Sequence, residues 1–141
     1  MSGRTVAVDL GTRRIGVAVS NREGTMAFPR PIIERTGDAG ADRRAVAAVV
    51  TEEEAAVLVV GLPLSLDGRR GAAAKAATAE AAQLAEVLSG TGVVVETFDE
   101  RLTTVSASAA LTGAGVRTRD QRRSVDSAAA TVLLQTWLDA R

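Results

Sequence analysis

VAVDLGTRRIGVAVS, Val6 to Ser20, decides how the chain must fold. An apolar run carries a single aspartate, Asp9, then turns through Gly11 to Arg14 and resumes a strand-like alternation at Ile15. Two strands joined by so short a turn are antiparallel neighbours. Burying an unpaired carboxylate costs several kcal/mol, on the order of the desolvation penalty of any isolated charge. Asp9 therefore belongs at an exposed strand end, beside a cation, or among strong hydrogen-bond donors.

Working outward, Asn21 to Gly24 reads as a hairpin loop and Ala27 to Ile33 as a third strand, which Pro29 and Pro31 confine to a sheet edge. Asp38 is placed to cap a helix running to about Thr51, with Val46, Val49 and Val50 on one face. Glu52, Glu53 and Glu54 oppose the helix dipole there and read as a solvated exit turn rather than a metal cluster. Ala55 to Val60 is an unbroken apolar strand closed by Gly61, Leu62 and Pro63. Leu64 to Gly71 is a polar loop, and Ala72 to Leu88 an alanine-rich helix stopped by Gly90 and Gly92. Val93 to Phe98 forms a fifth strand, closed by Asp99, Glu100 and Arg101. A short helix is expected from Thr103 to Leu111 and a loop from Thr112 to Arg119. A last helix is expected from about Asp120 to Ala140, with an apolar stripe of Val125, Ala128, Ala129, Val132, Leu133 and Trp137.

This order specifies an α/β domain built on a five-stranded mixed sheet. The first three strands form an antiparallel meander, and the last two, reached through helical crossovers, run parallel to the first. Continuous apolarity puts the Asp9 strand at the centre. With 141 residues, no repeat and no linker, a single domain over 1–141 is expected.

Composition narrows the chemistry. The chain has no Cys, His or Tyr, which removes thiol nucleophiles, imidazole bases and phenolic acids. Carboxylates that hold a hard divalent cation such as Mg²⁺ or Mn²⁺ are the economical alternative. No apolar stretch is long enough for a membrane span and no signal peptide is evident, so a cytoplasmic location is expected. The 17 basic residues balance 17 acidic ones, which argues against a general polyanion coat. Lys75 is the one lysine; the other cations are arginines, whose forked guanidinium groups match phosphate oxygens. A high arginine share beside abundant alanine is also what genomic base composition produces. Phe28, Phe98 and Trp137 are the aromatic residues, too few for a base-stacking platform, so any nucleic acid would be held through phosphates and shape.

Three acids interrupt apolar patterns or close strands: Asp9, the Asp99 and Glu100 pair, and Asp126 in the final helix. Ligands of α/β sheets gather at the carboxyl ends of the parallel strands, where Asp9 and Glu100 would meet. Asp126 shares a helical face with Ala129, Ala130 and Leu133 and is expected to face the sheet. Each acid alone has a structural explanation: turn amides for Asp9, a helix cap for Asp99, Arg122 or Arg123 for Asp126. Gathered together they would repel, and a divalent metal would make the cluster tolerable.

The stretches VDLGTRRIGVAVS, VVGLPLSLDGRRG, FDERLTT and SVDSAAATVLLQ resemble, in this order, the YqgF/RuvX family of bacterial Holliday junction resolvase or pre-16S rRNA nuclease proteins. The resemblance spans about Arg4 to Leu138. It implies a ribonuclease H-like fold, with Asp9 as the first-strand catalytic acid, Glu100 as the central one and Asp126 as the helical one, together holding Mg²⁺ or Mn²⁺. Arg69, Gly71, Arg101, Thr103 and Thr104 match further family positions. Arg13, Arg14, Arg69 and Arg70 would grip backbone phosphates, with Arg101, Thr103 and Thr104 beside them, in a monomer or weak homodimer.

The function expected is thus a metal-dependent phosphodiester endonuclease acting on structured nucleic acid, either a ribosomal RNA precursor at its 5′ end or branched DNA. Two other readings compete. A non-catalytic binding module could keep the same fold, though the intact acid triad weighs against it. An actin-type nucleotide-binding fragment also begins Asp-x-Gly-Thr before a hairpin, but such proteins hold nucleotide between two domains and 141 residues supply one.

Overall fold

The computed structural model describes residues 3–63, 71–100 and 118–141, with the side chains of 118–126 left out. Five strands, β1 (Arg4–Leu10), β2 (Arg14–Ser20), β3 (Ala27–Glu34), β4 (Ala55–Leu62) and β5 (Val94–Asp99), form one sheet in the order β3-β2-β1-β4-β5. β1 is antiparallel to β2 and parallel to β4; β2 and β3 are antiparallel, and β4 and β5 parallel. The expected mixed sheet and central Asp9 strand are both present.

Side-chain alternation sorts β1 between two cores. Val6 and Val8 join Ile15, Val17, Leu58 and Val60 under helices α1 (Ala39–Glu52) and α2 (Ala72–Val87), which contribute Val46, Val50 and Leu84. Ala7, Ala18 and Val59 face the other way, against Ala130, Leu133, Leu134 and Trp137 of α3 (Thr118–Asp139). With hydrogen-bonded neighbours on both edges and cover on both faces, Val6, Ala7 and Val8 are 0% exposed. That environment has no room for a charge until the strand ends.

The ends of the helices follow the sequence closely. Asp38 caps α1, its side chain accepting from the Ala41 amide at 3.2 Å. Gly90 and Gly92 adopt φ of 82° and 83° just beyond α2, a left-handed conformation that only glycine enters without cost. Arg43 of α1 clamps Glu80 of α2 through two hydrogen bonds, 2.8 and 3.2 Å.

Four expectations need correction. The final helix begins at Thr118, inside the loop expected up to Arg119. Of its expected stripe, Ala128, Leu133 and Trp137 are buried but Ala129 and Val132 only half-buried, Ala130, Leu134 and Leu138 also pack inward, and the Val125 side chain lies outside the described residues. The reason lies in the partner surface. Two small residues, Ala7 and Ala18, let the helix seat its larger side chains between them. The strands extend by about one residue beyond the apolar runs, since main-chain pairing continues through Leu10, Leu62 and Asp99. The three glutamates at the end of α1 are not merely solvated: Arg30 pairs with Glu53 at 2.8 Å and Glu52 at 3.3 Å, and Arg22 with Glu54 at 3.2 Å. Those contacts fasten the edge strand and its hairpin to the α1 exit. The helix expected at Thr103 to Leu111 lies outside the described residues.

Because Leu134 is fully buried, Leu134→Ala should cost about 2–5 kcal/mol of unfolding free energy. Val87→Ala, at a position 45% exposed, should change stability by less than roughly 0.5 kcal/mol. Urea denaturation of the two variants measures both; equal effects would contradict the packing described.

Candidate active site

Asp9 sits where β1 leaves the core. Two residues after the buried Ala7, it emerges on the α3 face, half-buried. Its register partner on β2 is Gly16. On the other side, one residue beyond the Val8–Val60 pair, β4 offers Gly61. The turn that follows is closed by the Gly11 amide, which donates to the Arg14 carbonyl at 2.9 Å. A Cβ on Gly11 would lie 2.6 Å from that same oxygen, so the tight turn demands glycine.

Glu100 arrives from the far side of β4. Gly61 pairs with Phe98 and Leu62 with Asp99, and Glu100 follows immediately. Its carboxyl group hydrogen-bonds Asp9, bringing together the acids that end the first and fifth strands. Burial, first, and then this hydrogen bond and the repulsion of Asp9 and Asp99 push the Glu100 carboxyl up to about 9. At neutral pH the Glu100 carboxyl therefore keeps its proton.

α3 reaches the same place with its N-terminal half. Its C-terminal part lies at the β2–β3 hairpin, where Gln135 bonds Thr25 and Ala27. Farther back, the buried Ser127 hydroxyl donates to the Arg30 carbonyl at 2.6 Å and accepts from the Val17 amide at 3.4 Å. Val17 is next to Gly16, the partner of Asp9. Position 126 thus precedes the residue that pins α3 over the strand beside Asp9, and it shares the helical row of the buried Ala130 and Leu133. The Asp126 side chain itself lies outside the described residues. Among the described residues no group of three acidic, His or Cys side chains assembles; Asp9 and Glu100 provide two oxygen donors. Adjoining carboxylate oxygens are the hard donors that a divalent cation such as Mg²⁺ or Mn²⁺ takes.

Arg13 and Arg14 are exposed beside this end of the sheet, Arg13 in the turn and Arg14 at the start of β2. Arg69, Arg70, Arg101, Thr103 and Thr104 lie outside the described residues. Arg35 was not singled out by the sequence. It donates from Nε to the Gly11 carbonyl at 2.6 Å and stands 3.9 Å from the buried Asp42, bracing the turn from the α1 side. With Thr12 and Arg13 it lines an open pocket of about 420 Å³. A lone arginine following a strand carries no signal for that role; only the fold brings it back to Gly11.

The sequence matches the family model described as RuvX: Holliday junction resolvase, over residues 3–140. The chain belongs to this family. A protein of Rhodococcus opacus (strain B4) named "Putative pre-16S rRNA nuclease" is 44% identical over 142 residues, covering 99% of this chain and 79% of its own. A protein of the same name from Leifsonia xyli subsp. xyli (strain CTCB07) is 46% identical over 140 residues, covering 99% and 87%. Among solved structures, Thermus thermophilus RuvC in complex with a Holliday junction substrate superimposes with a TM-score of 0.62 at 13% identity, covering 99% of this chain and 95% of that one. The yeast mitochondrial Holliday junction resolvase Ydc2 gives 0.56 at 10% identity, with 97% and 78% covered. These two establish the shared resolvase-type, ribonuclease H-like fold.

The Glu100 shift fixes a pH dependence. Between pH 4.5 and about 9 the folded protein keeps a proton that the unfolded chain has released, so this group's contribution to stability falls as pH rises through that window. The melting temperature of metal-free protein should carry that falling component, and Glu100→Gln should remove it. Parallel pH profiles for the two proteins would show that Glu100 is not held against Asp9.

Proposed function

We propose that the protein is a metal-dependent endonuclease of structured nucleic acid, most specifically one that processes the 5′ end of pre-16S rRNA. The observation that carries this reading is the hydrogen-bonded Asp9–Glu100 pair at the carboxyl ends of the parallel strands. Asp126, from the α3 turn that precedes the Ser127 anchor, supplies the third carboxylate. Mg²⁺ or Mn²⁺ bound by the three would polarise the scissile phosphate and lower the pKa of the attacking water. The chain's own part is to hold the oxygen donors in place and to grip the substrate around them.

Arg13 and Arg14 bind backbone phosphates at the rim of this site, and Arg69, Arg70, Arg101, Thr103 and Thr104 extend the contact. Recognition runs through phosphates and shape. Trp137 is buried and Phe98 is packed into the α3 core, which leaves only Phe28 exposed and no aromatic platform for bases. RNA is favoured over branched DNA by the names of relatives at 44–46% identity; the junction-bound neighbour shares the fold at 13%. The reading takes residues 1–141 as one nuclease domain, acting in the cytoplasm as a monomer or weak homodimer. Among the described residues no helix is long and apolar enough to cross a membrane.

The test is cleavage of a pre-16S rRNA 5′ segment, a four-way DNA junction and a plain duplex, each with Mn²⁺. The rRNA segment should be cut fastest. Asp9→Asn, which keeps shape and removes charge, should lower turnover by roughly a hundredfold or more while leaving the fold intact. A fully active Asp9→Asn protein would end the metal-nuclease reading, and absence of cleavage of all three substrates would favour a binding module.

A further inference from the structure

Adjacent strands are about 4.8 Å apart, so the backbones of β1 and β5, with β4 between them, are separated by about 10 Å. Asp9 and Glu100 nevertheless share a hydrogen bond. A glutamate can span that gap only by lying across the strand in between, on the face where the β4 residue would project its own side chain. The residue there is Gly61. By alternation from Val59, which packs under α3, Gly61 turns toward that same face. A Cβ built on it would stand 2.8 Å from Glu100 Oε1 and 2.9 Å from both Cδ and Cγ. Three atoms of the glutamate thus occupy the space that any other residue would fill.

We propose that Gly61 is a positioning residue of the active site: its missing side chain is the passage through which the Glu100 carboxylate crosses β4 to reach Asp9. Backbone freedom is not the reason for the glycine, since Gly61 is a paired strand residue and is not among the glycines with positive φ. Among the described residues, the three atoms nearest a Cβ at this position all belong to Glu100 rather than to a helix. The role depends on the metal-nuclease reading only for its consequence: with the passage blocked, Glu100 is displaced and the two carboxylates no longer face one cation.

Gly61→Ala, Glu100→Ala and the double variant separate this role from a purely structural one. Mn²⁺ affinity, measured by calorimetry, should weaken roughly tenfold or more in Gly61→Ala. In the Glu100→Ala background the same change should alter affinity and melting temperature little, because nothing is left to displace. Equal losses in both backgrounds would overturn the proposal, as would a Gly61→Ala protein that binds Mn²⁺ like the parent. If Gly61→Ala alone does not fold, a folded double variant supports the passage and an unfolded one overturns it. A parent chain that does not bind Mn²⁺ contradicts the metal reading and leaves a metal-free crystal structure of Gly61→Ala to decide: Glu100 swung away from Asp9 supports the role, Glu100 still bonded to Asp9 refutes it.

Discussion

Main-chain pairing of β1 on both edges, together with helices over both its faces, is the constraint from which the site follows. Such a strand excludes charge along its buried length and can carry a carboxylate only where cover ends, one residue beyond Val8. The parallel partner β4 carries the same logic to Gly61, and β5 to Asp99 and Glu100. The ends of three strands thereby bring their polar residues to one edge of an otherwise apolar layer. α3 closes the arrangement because its sheet-facing row of Ala130, Leu133, Leu134 and Trp137 fixes the helix over β1 and β2, and Ser127 sets its position along them.

The same constraint makes the site costly. Burial, and after it the neighbouring Asp9 and Asp99, favour the protonated form of Glu100 at neutral pH. Fold stability and the proposed chemistry draw on one arrangement in opposite ways: the geometry that would hold a divalent ion is the geometry that repels when the ion is absent.

The sheet could be read in the sequence because its signals are local. Alternation in Val6 to Ser20, the two prolines of β3, the Asp38 cap and the glycines after α2 each announce an element by chemistry within a few residues. Asp9 and Glu100, which the structure brings together, stood out for the related reason that each breaks an apolar pattern or closes a strand. What escaped was information held between elements. Gly61 has no side chain to signal anything; its role appears only when β4 is laid between Asp9 and Glu100. Arg35 looks like any arginine after a strand until the fold returns it to the Gly11 carbonyl. The glutamates at the end of α1 gave no hint that Arg30 of the edge strand would meet them. The α3 stripe was displaced because helical periodicity names a face, whereas the small residues of the opposing strands decide which side chains fill it.

The central claim is the proposal that Asp9 and Glu100 together hold a divalent cation, which would displace the proton on Glu100. Calorimetric titration of the metal-free protein with Mn²⁺ at pH 7, repeated in buffers of different ionisation enthalpy, counts the protons displaced on binding. With Glu100 titrating near 9, release of about one proton per bound ion is expected, falling toward zero in Glu100→Gln. Binding with no proton release by the parent protein, or release that is unchanged in Glu100→Gln, would contradict it.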